Sequence, residues 1–382
     1  MSMLLFSFWL VLCTPFSSWK GGSVNLLLHV WFPSLVAFLG VNALLEHTRD
    51  VRRSLYTIGF ASLTIVILSL FTEGTDTTRF DLGVGTLGNA NDLAQMLLLG
   101  LPGVLLFLQS NKGRKHILRL LLLLGILLML KVAASTASRA GVLTLLLYGI
   151  ILFWSASGLG RLRIGAVVMV IGIVFFTTAP KATLLRYATI LPFVSVDAND
   201  EKSEMIRESA EGSSAERRVL FQQSLELTLR NPLFGVGPGT FDSAAADVSK
   251  EKGVRALWHQ AHNSYTQVSA ECGIPGFLIY VSLIVATFRS VLRVRKQTAG
   301  KPALNDLRNL SLAILMTLAC FALNAAFASL SYLTTFPMLA ALADGFSRSA
   351  RREIAAREDV PSVAPRTSLP ANSRFHLGAK PA

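Results

Sequence analysis

Long apolar runs separated by short basic segments govern what this chain can become. In order, the runs lie near residues 4–19, 24–45, 54–72, 93–108, 117–135, 141–156, 164–179, 272–291, 309–330 and 332–346. A hydrocarbon core about 30 Å thick is crossed by roughly 20 apolar residues in helical form. Backbone inside that core must satisfy its own hydrogen bonds, which helices do within one segment. The sequence therefore predicts an all-α, polytopic membrane protein with about ten transmembrane helices. Charged residues supply only 15% of the chain and gather between the runs, where soluble domains carry about 25% throughout.

The basic residues set an orientation. Arg49, Arg52 and Arg53 follow the second run; Lys112, Arg114 and Lys115 the fourth; Arg161 and Arg163 the sixth. Arg293, Arg295, Lys296 and Lys301 follow the eighth run, and Arg348, Arg351 and Arg352 the tenth. All these clusters fall on one side if both termini are cytoplasmic. That placement accounts for the net charge of +13 without a nucleic-acid partner. Cys13, Cys272 and Cys320 lie far apart in or beside apolar runs, which suits membrane packing rather than a disulfide framework or a metal site. The first run, Leu4 to Phe16, lacks a basic leader and an Ala-x-Ala site. It is read as a short span rather than a signal peptide, in a chain whose N-terminus could be shortened.

Residues 1–352 then form one transmembrane domain, and 353–382 a disordered cytoplasmic tail punctuated by Pro361, Pro365, Pro370 and Pro381. Three segments, 73–92, 136–140 and 180–263, are extracytoplasmic. The last is long for a connection and is where chemistry is expected. Within it, 197–214 is polar and reads as mobile, while 215–230 carries Val219, Leu220, Leu225, Leu227 and Leu229. That imperfect helical spacing predicts an amphipathic helix on or near the bilayer.

The loop ends in NPLFGVGPGTF, a polar interval, and HQAHNSYTQVSAECGIPGF. Gly235, Gly237 and Gly239 read as a tight turn; the stretch lacks the Lys-Ser/Thr of a phosphate-binding loop. His262 stands just ahead of an apolar run, followed by Asn263, Ser264 and Tyr265. An imidazole at the outer membrane boundary, with an unperturbed pKa near 6.5, suits proton abstraction. His259 is the lesser candidate; its spacing from His262 would allow a zinc pair, but no carboxylate or cysteine partner stands out. Arginines on the outer face gain nothing from charge sorting, and a guanidinium fork matches phosphate. Arg139 in the short SASRAG turn, Arg217 and Arg218 at the start of the amphipathic helix, and Arg79 before Asn91 are such residues. Arg218 is read as surface charge. No acidic residue lies near mid-membrane, which argues against a proton-coupled pump, and the outer loops hold no Asp-x-Asp for a metal-dependent transferase.

The runs RVLFQQSLELTLRNPLFGVGPGTF and AHNSYTQVSAECGIPGF resemble the O-antigen ligase and polymerase superfamily of bacterial envelope polysaccharide enzymes. GNANDLAQ at 88–95 and TASRAG at 136–141 resemble its upstream motifs, and the likeness extends over about residues 79 to 291. This resemblance implies an inverting glycosyltransferase of C-type membrane fold in the bacterial inner (plasma) membrane, with its loop periplasmic. The donor would be a glycan on undecaprenyl diphosphate, the acceptor a sugar hydroxyl such as that of lipid A-core, in contact with membrane lipids. His262 matches the proposed general base, and Arg139 and Arg217 match arginines that contact the diphosphate. Arg79, Asn91, Asn263 and Tyr265 are further candidates for substrate contact. The resemblance implies no metal and no other cofactor. Two features depart from it: members often have about twelve spans, and Phe221 stands where Trp is frequent.

Two other functions compete. A polysaccharide polymerase would use the same donor with a second lipid-linked glycan as acceptor. A solute transporter, as for inorganic carbon, would converge broken spans on polar groups at mid-depth. Asn324 is the one isolated polar residue of that kind, and is better read as a helix–helix hydrogen bond.

Overall fold

The computed structural model describes residues 2–72, 79–110, 116–178, 184 and 201–358, and shows helices with no strand among them. The helices are α1 (Ser2–Cys13), α2 (Lys20–Leu44, with a π turn at Leu27–Trp31), α3 (Thr48–Ser69) and α4 (Ala90–Ser110). There follow α5 (His116–Ser135), α6 (Arg139–Ser155), α7 (Gly158–Thr178), α8 (Glu201–Arg230) and α9 (Phe241–Glu251). The last three are α10 (Ser264–Gln297), α11 (Asn305–Asn324) and α12 (Thr335–Glu358).

Where about ten spans are expected, six helices among the described residues have sufficient length and apolarity to cross a membrane. They are α2, α3, α4, α5, α10 and Pro302–Asn324, which contains α11; Met3–Phe16 and α6 are apolar but shorter. The tenth expected run is not among them, because α12 begins only at Thr335 and carries Asp344, Arg348, Arg351 and Arg352. Three further readings are corrected. The supposedly mobile 197–214 stretch is helical from Glu201, as part of α8. The expected tail from 353 is still helix as far as Glu358, where Arg357 pairs with Glu353 and Lys301 with Glu358 at 2.7 Å. Residues 359–382, most of 180–200, and the Lys112, Arg114 and Lys115 cluster lie outside the described residues. Nor do the leucines of α8 share one apolar face. Leu220 and Leu227 are buried with Phe241, Ala245 and Val248, while Val219, Phe221, Leu225 and Leu229 are exposed. Gln223 donates to Ser249 Oγ at 2.8 Å, and Thr228 and Ser269 hydroxyls meet at 2.8 Å, so α8 docks on α9 and α10.

Lipid tails are as apolar as leucine, so helix association inside a bilayer leans on close packing and interhelical hydrogen bonds. The α3–α4 crossing shows both. A Cβ at Gly103 would lie 2.1 Å from the Leu55 carbonyl oxygen, and one at Gly100 would lie 2.1 Å from Ser62 Oγ. Ser62 in turn donates to the Met96 carbonyl at 2.9 Å. At the α6–α11 contact, Asn324 donates to Thr144 Oγ1 at 3.0 Å, so this residue is the helix–helix bond expected of it. Helix α1 presents Met3, Phe6, Leu10 and Cys13, all buried, to the core. The three cysteines are free and buried.

Two sets of polar contacts mark the ends of the bundle. At one end Arg52 approaches Asp306 at 3.8 Å, Thr48 donates to Glu353 at 2.6 Å, and Arg348 donates to the Asn42 carbonyl at 2.7 Å. Arg295 donates to the Arg308 carbonyl at 3.1 Å there. At the opposite end lie the contacts of Ser18, Arg79, Arg139 and His262, described below.

The helix that carries the site is broken on purpose. Gly273 has φ 69° and ψ −178°, and Pro275 follows it inside α10. Such a break frees carbonyls that hydrocarbon cannot hydrate, and the glycine-rich turn takes them up. Val236 N–H donates to Ala270 O at 2.9 Å and Gly237 N–H to Glu271 O at 2.9 Å. Trp9 indole N–H donates to Cys272 O at 2.9 Å, and Ile274 N–H to Pro232 O at 2.8 Å. Contact is close enough that a Cβ at Gly235 would stand 2.2 Å from the Glu271 carbonyl carbon. Ser18 N–H reaches Val236 O at 2.8 Å, which adds the α1–α2 corner to the joint.

Candidate active site

The site is assembled from three separate parts of the chain. The first is the turn between α5 and α6. Ala137 adopts φ 49° there, a left-handed conformation that side chains disfavour. Ser138 caps α6, its hydroxyl accepting from Gly141 N–H at 3.3 Å, so Arg139 becomes the first residue of the helix. Arg139 is half-buried and its Nη1 donates to Ser214 Oγ at 3.0 Å.

Helix α8 is the second part. Ser214 and Arg217 are three residues apart on it and so share a face. Arg217 is half-buried; burial, and then the charge of Arg139, pull its guanidinium below the usual arginine range. Arg218 is exposed.

The third part is the approach to α10. Trp258 and His262 have φ 52° and φ 50°. With Ala137 they are the three non-glycine residues in the left-handed region among those described, and they flank the candidate groups. Asn263 caps α10, its side-chain oxygen accepting from Tyr265 N–H at 3.0 Å and Thr266 N–H at 3.2 Å. His262 therefore stands at the residue just outside the helix, and its backbone N–H donates to Ser329 Oγ at 3.1 Å. Burial, Arg217 and His259 hold the His262 imidazole below its ordinary value of 6.5, with Glu216 pulling the other way. The His259 and His262 rings are 6.4 Å apart, and among the described residues no third metal-ligating side chain is grouped with them.

Geometry thus links Arg139 through Ser214 to the face bearing Arg217, and the charge of Arg217 is felt at His262. The remaining candidates frame this centre. Arg79 Nη2 donates to Asn91 Oδ1 at 2.8 Å and its Nε to the Thr136 carbonyl at 3.0 Å, tying the start of α4 to the turn before Arg139. Tyr265 donates its hydroxyl to the Ala322 carbonyl at 2.8 Å, fastening α10 to α11.

Sequence reasoning missed Ser214, Ser329 and the whole segment 325–334, which it had folded into two runs. One signal was available: a single residue between runs 309–330 and 332–346 cannot reverse two helices. It also missed Glu271, a buried carboxylate that accepts from Gly239 N–H at 2.9 Å, Phe241 N–H at 3.1 Å and Tyr332 hydroxyl at 2.6 Å. Its position within ECGIPGF looked like the edge of an apolar run.

No curated protein matches the chain. Residues 124–281 match the family model described as O-Antigen ligase. That stretch holds Arg139, Arg217, His262 and both halves of the joint between the glycine-rich turn and the α10 break. Over this stretch, about two fifths of the chain, the protein is similar to the O-antigen ligase family, whose members are glycan-processing enzymes.

Proposed function

We propose that this protein is an inverting glycosyltransferase of the bacterial inner membrane. In this reading it moves a glycan from undecaprenyl diphosphate to a sugar hydroxyl, with lipid A-core the acceptor expected of a ligase. The observation that carries the reading is the bond from Arg139 to Ser214, which ties it to the face of α8 bearing Arg217; the lowered His262 imidazole, with Arg217 among its causes, agrees with it. Two guanidiniums within reach of one another repel, and a diphosphate between them relieves that repulsion.

The reaction follows from these groups. The neutral imidazole of His262 takes the proton of the acceptor hydroxyl as its oxygen bonds to the anomeric carbon. The bond from that carbon to the diphosphate oxygen breaks, and its electron pair leaves with the lipid diphosphate. Arg139 and Arg217 stabilise the charge that develops there. The imidazolium returns its proton to the departing diphosphate or to solvent. Arg79 and Asn91 brace the turn bearing Arg139, while Asn263 and Tyr265 fix the helix end bearing His262.

Reconstitution with a lipid-linked glycan and purified acceptors, with and without chelator, tests this reading. Transfer to lipid A-core supports a ligase; transfer only to a second lipid-linked glycan supports a polymerase. No transfer to any glycan acceptor by a folded, reconstituted protein would sink the reading.

A further inference from the structure

We propose that Ser329 is a positioning residue for His262, and that segment 325–334 serves to hold this imidazole in place at the entrance to α10. The inference rests on the transferase reading above and extends it to residues outside the matched stretch. Helix α11 stops at Asn324 and α12 starts only at Thr335. The ten residues between lie along the first turns of α10 and bind them almost entirely through hydroxyls.

Ser264 is fully buried and is clasped from both sides. Its N–H donates to the Ala325 carbonyl at 2.7 Å and its hydroxyl to the Ala328 carbonyl at 2.7 Å. Leu330 N–H donates to Ser264 Oγ at 2.8 Å, and the Ser331 hydroxyl donates to the Ser264 carbonyl at 3.0 Å. Further along, Tyr332 reaches Glu271. This framework fixes Ser329, whose oxygen then receives His262 N–H at 3.1 Å.

That bond acts on a residue held where it would not rest unaided. His262 has φ 50°, and a residue with a Cβ leaves the left-handed region when nothing holds it there. Relaxation to negative φ re-aims the Cα–Cβ bond and carries the ring away from Arg217. Ser329 thereby acts on catalysis through His262 and needs no contact with substrate.

The test uses full-length protein in nanodiscs, with Ser329→Ala, Ser329→Thr and His262→Ala compared at equal amounts of folded protein. Misplacement of a catalytic group by about 1 Å can lower turnover about 100-fold; we expect Ser329→Ala to lose about tenfold in kcat at nearly constant donor KM. Ser329→Thr, which keeps the acceptor oxygen, should restore most of it. A second readout does not depend on transfer: carbethoxylation of His262 by diethyl pyrocarbonate, followed by mass spectrometry. In Ser329→Ala the ring should react several-fold faster, and at an acid limb shifted up toward 6.5, as it loses its burial first and then escapes Arg217 and His259, while losing the opposing pull of Glu216. Unchanged turnover, unchanged carbethoxylation, or failure of Ser329→Thr to rescue would each overturn the proposal. Wild-type transfer by His262→Ala would instead sink the base assignment, and carbethoxylation would still decide what Ser329 does.

Discussion

Arg139 donates to the hydroxyl of Ser214 at 3.0 Å, one helical turn before Arg217 on the same face of α8. The first residue of α6 is thereby tied to the long helix α8, and the two arginines are fixed with respect to each other. Arg139→Lys keeps the charge but loses the planar fork and the reach to Ser214. Removing one such stabilising donor lowers turnover by about 10²–10³ in well-studied enzymes. A loss of that order, with a raised donor KM, is the expected outcome in a reconstituted transfer assay. Wild-type kinetics in Arg139→Lys would refute the diphosphate contact.

His262→Ala should lower transfer by about 10²–10⁴, the usual contribution of general-base assistance. Its backbone bond to Ser329 survives the substitution, so gel-filtration behaviour and thermal midpoint should change little. His259→Ala is the control, because that ring sits 6.4 Å away and takes no proton in the mechanism. A mass-spectrometric count of transferred glycan for both variants makes the comparison; equal losses would contradict the assignment.

The pH profile follows from the direction of the His262 shift. Burial, Arg217 and His259 favour the neutral ring, so the base stays ready below its ordinary 6.5. The rate should rise with pH, reach half its maximum below 6.5, and be level at neutrality. Arg217→Gln removes a cation and should move that midpoint upward; Glu216→Gln should move it down. Stability carries the same sign. The unfolded chain binds the proton first on acidification, so the stabilisation from the neutral buried ring is complete above 6.5 and is lost as pH falls through the lowered folded value. A midpoint that ignores Arg217→Gln would show that the two groups are not coupled.

Gly235→Ala should damage the fold rather than the chemistry. Its Cβ would press on the Glu271 carbonyl carbon at 2.2 Å, against backbone that cannot yield cheaply. Overpacking of this kind destabilises by roughly 1–3 kcal/mol, and the left-handed φ of 68° adds about 1–2 kcal/mol. Reduced yield of folded protein and a lower thermal midpoint in detergent are expected, with near-normal turnover for whatever folds. The reverse pattern would mean that the turn touches substrate.

Much of this was legible in the sequence, for identifiable reasons. Apolar length announced the helical membrane character because hydrocarbon thickness is fixed, and the sequence singled out Arg139, Arg217 and His262 because it assigned them to the outer rim, where cations and imidazoles need a purpose. Where the pattern misled, tertiary contacts had overridden composition. The polar stretch from Glu201 is helix continuous with the part of α8 that α9 and α10 hold, and no local rule reports that docking. Segment 325–334 looked like spanning helix because Ala, Phe and Leu dominate it. Its serines become informative only once Ser264 and His262 lie against them. Glu271 was overlooked because three of its four partners come from residues 239, 241 and 332, which no spacing rule connects to it.

The break at Gly273 also limits how this protein can be recombined with its relatives. The carbonyls of Ala270, Glu271 and Cys272 are covered by Val236, Gly237 and Trp9, so one mortise has its tenon in two other, distant parts of the chain. A chimaera cut between residues 239 and 270 would keep the outer helices and yet strip the cover from oxygens that no water can reach. Grafts that carry residues 231–239, 270–275 and the first helix as a single cassette should assemble. Those that divide it should fail at membrane insertion, whatever the quality of their active-site side chains.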